Sequence, residues 1–254
     1  MAKINVVTGR GGAGKSTFVA LFAELVNAEP LLLIDLDPDG SLANMLGADL
    51  DKAGKLTVSD ALSTIMAKEK NRKGKEDTPD LLRQMVENGR IIHRDKKFDI
   101  IVLGTRFAPG CYCLPDEIIK DTIGRISKDY GMILVDSPAG LEHLNRKVTP
   151  VIHDLFVVLD PSEKSVKHID RIKFVTKGVN ISYENFYLVG NYRFTDETEE
   201  CLLKTEDKYL GRIANDPKIR EHNLKGESLR NIPENSPSST SVRKILREAG
   251  YALI

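Results

Sequence analysis

A glycine-rich loop near the start of the chain has the residue types and spacing that bind phosphate. The segment GRGGAGKST spans 9–17, after a short apolar run and before a helical pattern. It matches G-x-x-x-x-G-K-[S/T] in the strand-then-helix context that this pattern requires. Glycines let the backbone amides curl around an anion at the start of a helix. The loop therefore predicts a nucleotide site.

Two side chains of this loop have separate tasks in such a site. Lys15 would place its ammonium group against the β- and γ-phosphates, and the Ser16 hydroxyl would bind Mg²⁺. We expect the loop to hold ATP or ADP. Its candidate nucleotide-binding residues are Gly9, Arg10, Gly11, Gly12, Ala13, Gly14, Lys15, Ser16 and Thr17.

Aspartates follow two other apolar runs. LLLID ends in Asp35, with Asp37 two residues later, and MILVD ends in Asp136. Ligands of open α/β sheets bind outside the carboxyl ends of the strands, which is where these side chains would lie. Asp136 is the candidate to hold Mg²⁺ through water. Simple loop carboxylates are the alternative interpretation of Asp35 and Asp37.

Two of the three cysteines, Cys111 and Cys113, flank a single tyrosine. On an extended strand, residues two apart point to the same side, so both thiolates could face one ion. Tetrahedral zinc requires four N or S ligands, and a two-fold dimer would supply the second pair. A redox dithiol, which would be strained at this spacing, and two inert cysteines are the alternatives. Cys201 has no sequence partner and is expected to pack in the core.

Apolar runs alternate with helical patterns along most of the chain. The predicted strands are nearly continuous apolar runs, typical of a parallel sheet covered on both faces. They span 4–8, 31–35, 99–104, 132–136, 155–160 and 186–190. Helices are predicted over 16–27 and 162–178, and a loop over 231–240 precedes a last helix. The pattern predicts a doubly wound α/β fold, with a mostly parallel sheet and helices on both faces, as a single domain over 1–254.

Composition argues against several classes of protein. Lys plus Arg and Asp plus Glu both number 37, so a strongly basic nucleic-acid surface is not expected. Residues 1–8 lack the apolar core of a secretory signal, and no run reaches the roughly 18 apolar residues of a membrane span. We expect a cytoplasmic protein without nucleic-acid or membrane partners, in which paired cysteines favour metal or redox chemistry. The charged stretch 68–80 is expected to be a solvated excursion.

Together these motifs resemble the deviant Walker A ATPases, the family of nitrogenase iron protein, cell-division ATPases of the MinD type and plasmid-partition ATPases. Within that family, GTRFAPGCYCLPDE at 104–117 and AGLEHLNR at 139–146 resemble the CooC branch. Members of that branch help insert nickel into carbon monoxide dehydrogenase and related enzymes. The resemblance runs over nearly the whole chain, in family order.

The resemblance implies roles for three candidate catalytic residues. Arg10 replaces a lysine that reaches the partner's nucleotide across a dimer; it keeps the charge, and a guanidinium can hold phosphate in bidentate fashion. Whether Arg10 reaches the partner is left open by this change. Asp37 would orient or deprotonate the attacking water, with Asp35 supporting the Mg²⁺ shell. Lys15 completes the catalytic set.

The resemblance also implies two further segments of the site. Residues 137–140 would form a second switch that senses the γ-phosphate, while His143, just beyond it, is expected to be an ordinary surface or packing histidine. The adenine base would meet a later segment, in which Ala214 replaces the family's usual proline. The candidate adenine-site residues are Asn191, Arg193, Ile213 and Ala214.

The resemblance thus implies an ATPase that hydrolyses ATP to ADP and phosphate with Mg²⁺ and forms a nucleotide-dependent homodimer. Nickel or zinc would bridge the cysteine pairs, and a nickel enzyme, carbon monoxide dehydrogenase or acetyl-CoA synthase, would be the client. One rival is a positioning or partition ATPase of the MinD or ParA type that binds membrane or DNA rather than metal, with 241–254 as a candidate amphipathic membrane helix. Such a helix more often packs on its own domain. Another rival, a nitrogenase-like reductase, should have its cysteines in separate segments.

Overall fold

The computed structural model describes residues 2–69, 78–105, 113–145 and 151–254. The strands are β1 (Lys3–Gly9), β2 (Leu31–Asp35), β3 (His93–Arg94), β4 (Asp99–Val102), β5 (Met132–Asp136), β6 (Val151–Leu159), β7 (Ser182–Gly190) and β8 (Lys208–Arg212). The helices are α1 (Lys15–Leu25), α2 (Ser41–Met45), α3 (Val58–Glu69), α4 (Thr78–Glu87), α5 (Cys113–Ile126), α6 (Glu142–Asn145), α7 (Glu163–Gly178), α8 (Asp196–Leu203), α9 (Pro217–Lys225) and α10 (Pro237–Glu248).

The strands form one eight-stranded sheet in the order β3-β4-β2-β5-β1-β6-β7-β8. All neighbouring pairs are parallel except β3 with β4 at one edge. Because parallel strands need crossover connections, the helices lie over the sheet rather than at its ends. The predicted doubly wound, mostly parallel fold is confirmed.

Helices cover both faces of the sheet and bury two apolar clusters. On one face, the Phe18 and Phe22 rings of α1 lie 5.6 Å and 5.7 Å from the Phe156 ring of β6. On the other face, Ile169 and Ile172 of α7 belong to the second buried cluster. Side chains alternate between the faces along a strand, so continuous apolar runs such as that of β6 serve both clusters.

Several boundaries differ from the sequence prediction. β6 and β7 begin four residues before the predicted 155 and 186, because polar side chains in their first halves interrupt the apolar run. The edge strands β3 and β8 were not predicted, since one is only two residues long and the other carries a glycine and charged ends. In the predicted excursion 68–80, α3 extends to residue 69 and α4 begins at 78; residues 70–77 lie outside the described part.

Two further predictions are corrected by the structure. The loop predicted over 231–240 ends early: α10 begins at Pro237, because Ser236 caps the helix by accepting a hydrogen bond from the Ser239 amide. Cys201, expected in the core, is exposed on α8. The adjacent Leu202 takes the buried position on that helix.

The last helix packs on its own sheet. Val242, Ile245 and Leu246 of α10 are at most 1% exposed and belong to the same cluster as the aromatic rings of α1. The apolar face that could have lain on a membrane is therefore already covered. Among the described residues, none of the helices combines the length and apolar character needed to cross a bilayer.

We predict that Leu246→Ala destabilises the chain by about 2–5 kcal/mol, because it opens a cavity between α10 and the sheet. Chemical denaturation followed by circular dichroism would measure this. Lys244→Ala, at an exposed position of the same helix, is the control and should change stability by less than about 0.5 kcal/mol. Equal stability of both variants would show that α10 does not pack as described.

Candidate functional site

The phosphate loop joins β1 to α1 in a conformation that needs glycine. Gly12 and Gly14 have φ of 73° and 99°, in the left-handed region that other residues rarely adopt. At Gly9, a Cβ atom would lie 2.3 Å from the Val158 carbonyl oxygen on the neighbouring strand. The loop thus leaves its backbone amides free to turn toward an anion at the start of α1.

A cavity of about 690 Å³ opens at this edge of the sheet. Ten of the predicted site residues line it: Gly11, Gly12, Gly14, Lys15, Ser16, Thr17, Asp37, Asn191, Ile213 and Ala214. The cavity joins the phosphate loop to the segment after β8, a span that suits a nucleotide. The structure therefore brings together two segments that lie about two hundred residues apart in the sequence.

Lys15 is buried at the floor of this cavity. Its ammonium group donates a hydrogen bond to the Arg10 carbonyl at 3.2 Å. Burial lowers the pKa of Lys15, and the negative charges of Asp136 and Asp37 oppose that shift. An ammonium group held among carboxylates and free to donate two more hydrogen bonds is suited to phosphate oxygens.

Asp35 and Asp136 are register partners on β2 and β5, and both are fully buried. The Asp35 carboxylate accepts hydrogen bonds from backbone amides of the following loop and the start of α2. One oxygen accepts from the Asp37 amide at 3.0 Å, and the other from the Leu42 amide at 3.0 Å. Burial and the adjacent Asp136 raise the pKa of Asp35 well above its usual value. Asp35 can therefore support a Mg²⁺ shell only by fixing the loop that carries Asp37.

Asp136 has no such partners. Neither of its carboxylate oxygens accepts a formed hydrogen bond. Burial raises the pKa of Asp136 to about 7, while the nearby Ser16 hydroxyl and the Lys15 ammonium oppose that shift. A buried carboxylate with free oxygens, beside a hydroxyl and a cavity, is the donor set that Mg²⁺ prefers. These residues fit a magnesium ion.

Asp37 lies between the two carboxylates and the cavity. One of its oxygens accepts from the Asp39 amide at 3.1 Å, while its own amide is held by Asp35. The Asp37 side chain is only partly buried and lines the cavity. It is therefore held in place at the wall of the cavity that the phosphate loop also lines.

Arg10 is engaged within its own chain. Its guanidinium donates to the Ser162 hydroxyl at 3.1 Å and lies 3.8 Å from the Asp160 carboxylate. Both partners belong to the segment that begins α7. Arg10 does not line the cavity, so a contact with any phosphate requires it to leave these partners.

The base end of the cavity differs in part from the prediction. The Oδ1 atom of Asn191 accepts from the Arg193 amide at 3.0 Å, while its buried Nδ2 has no partner and remains a donor. Arg193 itself is exposed and lies outside the cavity, where Tyr192 takes its place. The Ala214 amide is held by the Ser241 hydroxyl at 2.9 Å.

One wall of the cavity comes from α9, which lies within the segment 210–229 that the resemblance implies covers the base, although its residues were not predicted individually. Ile219, Arg220, Asn223 and Leu224 of α9 line it, at the i and i+4 spacing of one helix face. The signal that could have found this wall is Asp216 followed by Pro217, a cap and a first helical residue that place α9 directly after the base segment. Met45, which was not predicted, and Ala139, which belongs to the predicted second switch at 137–140, also line the cavity.

The cysteine pair lies at the edge of the described structure. Cys111 falls outside the described residues, and Cys113 is the first residue of α5 rather than part of an extended strand. Among the described residues, no group of three or more His, Cys, Asp or Glu side chains could hold a metal ion by itself. The predicted dimer-bridging site stays a prediction.

Comparisons with known proteins agree with this geometry. Residues 1–185 match the AAA domain family. An uncharacterised ATP-binding protein of Methanocaldococcus jannaschii is 29% identical over 255 residues, which cover 95% of this chain and 96% of that protein. The carbon monoxide dehydrogenase accessory protein CooC of Rhodospirillum rubrum is 26% identical over 236 residues, which cover 87% of each chain.

The fold also occurs among solved structures. A Borrelia burgdorferi protein described as a plasmid partition protein, bound to AMPPNP, superposes with a TM-score of 0.72. The match covers 98% of both chains at 18% identity, so it bears on the fold alone.

We predict that Asp136→Asn stabilises the nucleotide-free chain at neutral and higher pH. The folded chain keeps the Asp136 proton up to about pH 7, whereas an unfolded aspartate ionises near about 3.9. This carboxyl therefore lowers stability progressively as the pH rises between those values. The variant should unfold about 3 °C or more above the native chain at high pH, measured by scanning calorimetry.

The difference should narrow as the pH falls toward about 4 and vanish below it, where the native carboxyl is protonated in both the folded and the unfolded state. The same variant should lose Mg²⁺-dependent ATP hydrolysis. Asp51→Asn, which removes an exposed carboxylate, is the control and should show neither effect. A pH-independent difference for Asp136→Asn would contradict the raised pKa.

Proposed function

Because the chain belongs to the AAA domain family and is a P-loop ATPase of the MinD and ParA type, we propose that it is a Mg-ATP-dependent, dimerising metallochaperone. It would assist nickel insertion into carbon monoxide dehydrogenase or acetyl-CoA synthase. The observation that carries the proposal is the similarity to a carbon monoxide dehydrogenase accessory protein over 87% of the chain. The C-x-C pair at 111–113 supports it, because a nickel-handling protein needs soft ligands.

The phosphate end of the site would bind and orient the nucleotide. The loop amides and Lys15 would hold the β- and γ-phosphates, with Ser16 and Asp136 holding Mg²⁺. The metal ion, when bound, neutralises charge that develops on the phosphate oxygens. Asp37 would orient the attacking water and accept its proton. Its loop is suited to this because the Asp37 backbone amide donates a hydrogen bond to the Asp35 carboxylate, which fixes the loop.

Arg10 would give the site its dependence on a second chain. In the free chain its guanidinium rests on Ser162 and Asp160, outside the cavity. A bound triphosphate in a facing subunit would compete for that guanidinium, because phosphate offers it two acceptor oxygens. ATP would then favour the face-to-face dimer, and hydrolysis would release it.

The cysteine pairs would connect this cycle to metal. Two copies of Cys111 and Cys113, one from each subunit, would complete a four-thiolate site for nickel or zinc. The metal would be cargo, and its affinity would depend on which dimer geometry the nucleotide stabilises. The nickel enzyme would receive the metal when hydrolysis opens the dimer.

A positioning or partition ATPase is the second candidate function. It is favoured by similarity to a ParA family protein of Chlamydia trachomatis, 24% identical over 270 residues that cover 100% of this chain and 99% of that protein. The packed face of α10 weakens the membrane version of this candidate, leaving nucleic acid as its main ligand. Bound metal in the purified chain would favour the metallochaperone. ATP-dependent binding to duplex DNA without bound metal would favour partition.

We predict that Cys111→Ser and Cys113→Ser each lose tight binding of nickel or zinc while keeping ATP binding. The native chain should hold about one metal per two chains, because four thiolates complete one tetrahedral site. Elemental mass spectrometry with light scattering would measure stoichiometry and mass together. Cys201→Ser, at an exposed cysteine, is the control and should bind metal normally. One tightly held metal per single chain would rule out the bridging site.

We predict that Asp37→Asn binds ATP normally but hydrolyses it at least about 100-fold more slowly, because it removes the base that acts on water. The ATP-bound dimer should then persist on size-exclusion chromatography. Asp39→Asn is the matched control and should hydrolyse ATP at the native rate. Asp39 is an exposed neighbour, and its backbone amide, which donates a hydrogen bond to the Asp37 carboxylate, is kept in this variant. Fast hydrolysis by Asp37→Asn would show that another residue activates the attacking water.

A further inference from the structure

The helix that follows the Asp37 loop is too short to be stable by itself. α2 contains five residues (Ser41–Met45), and Gly40 before it provides no side-chain cap. A single helical turn fixes several backbone angles for very few hydrogen bonds, so other parts of the chain must hold it. Its position matters because Ser41 and Met45 line the nucleotide cavity beside Asp37.

Side chains hold α2 at both ends. At its start, one Asp35 oxygen accepts from the Leu42 amide at 3.0 Å and from the Ala43 amide at 3.3 Å. At its end, the Ser228 hydroxyl donates to the Met45 carbonyl at 3.2 Å. Carbonyls in the last turn of a helix have no partner within the helix, so this bond satisfies one of them.

The backbone after α2 also passes close to Ser228. A Cβ atom added at Gly47 would lie 3.3 Å from both the Cβ and the Oγ atoms of Ser228. The adjacent Leu229 belongs to the same buried cluster as Leu42 and Leu46. The hydrogen bond between Ser228 and α2 is therefore part of a packed contact rather than an isolated surface bond.

The segment that carries Ser228 is anchored independently of α2. Ser228 caps a short 3₁₀ turn (Leu229–Asn231) by accepting from the Arg230 amide at 3.2 Å. The Arg230 guanidinium donates to the two Asp95 oxygens at 3.0 Å and 2.7 Å, and to a Glu24 oxygen at 3.0 Å. Bidentate pairs of this kind fix orientation as well as distance. Ser228 therefore holds α2 from a fixed position.

The same serine connects α2 to the α9 wall of the cavity. The Nδ1 atom of His222 on α9 lies 2.9 Å from the Ser228 carbonyl oxygen. The carbonyl can only accept, so Nδ1 is the donor in this bond. Ile219 and Asn223 of the same helix line the cavity. A nucleotide that touches both α9 and the Asp37 loop would thus contact two ends of one hydrogen-bonded chain.

We propose that Ser228 is a positioning residue for ATP hydrolysis: by tying the end of α2 to the α9 wall, it holds the loop from which Asp37 acts on water. Asp35 binds both the Asp37 amide and the start of α2, so movement of α2 is transmitted to that loop. Ser228 itself lies outside the cavity lining, so nucleotide binding depends little on it. The inference rests on the role proposed for Asp37 and does not depend on the nickel client.

Steady-state hydrolysis of Mg-ATP by the full chain tests this role with three variants of Ser228. Ser228→Ala removes both the donor and the cap, Ser228→Asp keeps the cap but has no proton to donate at neutral pH, and Ser228→Thr keeps both. We expect kcat to fall about tenfold in the Ala and Asp variants, with KM within about twofold of native, because the change affects positioning rather than binding. Ser228→Thr should recover most of the native kcat.

Thr195→Ala is the matched control, because it removes the side-chain cap of α8, which does not line the cavity. It should lower the melting temperature without changing kcat. Hydrogen exchange of the nucleotide-free chain adds a measurement that needs no turnover. The amides of 41–46 should exchange at least about tenfold faster in Ser228→Ala than in Thr195→Ala, because α2 has lost one of its anchors.

Native kcat in Ser228→Ala or Ser228→Asp would overturn the proposal, as would equal losses of kcat in all three Ser228 variants. Equal exchange of 41–46 in Ser228→Ala and Thr195→Ala would also overturn it. Fast hydrolysis by Asp37→Asn would instead contradict the role of Asp37 in the proposed function. The two failures can therefore be told apart.

Discussion

The site depends on two carboxylates that parallel pairing forces together. Asp35 and Asp136 end neighbouring strands in register, and neither is exposed to solvent. Two buried charges at this spacing are tolerated only if each is stabilised or protonated. Asp35 is stabilised by amides of its own loop, which fixes the position of Asp37. Asp136 is left unpaired, so its oxygens are the ones available to a cation.

Some polar groups at the nucleotide-binding edge of the sheet therefore have no hydrogen-bond partner in the free chain. The carboxylate of Asp136 and the Nδ2 atom of Asn191 are buried without hydrogen-bond partners. The two cations donate hydrogen bonds to neutral groups of the same chain: Lys15 to the Arg10 carbonyl and Arg10 to the Ser162 hydroxyl. Under the proposed function, each of these groups would gain a partner when a magnesium triphosphate binds. The unpaired groups lower the stability of the free chain, and ligand binding would offset that loss.

Local patterns predicted the parts of the fold that local chemistry determines. The inner strands and the phosphate loop could be located because continuous apolar runs and a fixed glycine spacing identify them. The contacts of Arg10 with Ser162 and of α9 with the cavity join segments distant in sequence, which no local pattern records. The edge strands escaped prediction because their few polar residues resemble loops.

Under the proposed function, a magnesium triphosphate would complete this edge of the sheet. Hydrogen–deuterium exchange of the free chain, compared with its Mg-AMPPNP and Mg-ADP complexes, would detect this. We predict that the amides of 35–43 and 136–144 exchange much more slowly with Mg-AMPPNP than with Mg-ADP, while those of β3 and β4 at the sheet edge do not change. Equal exchange of both segments in the two complexes would contradict the account.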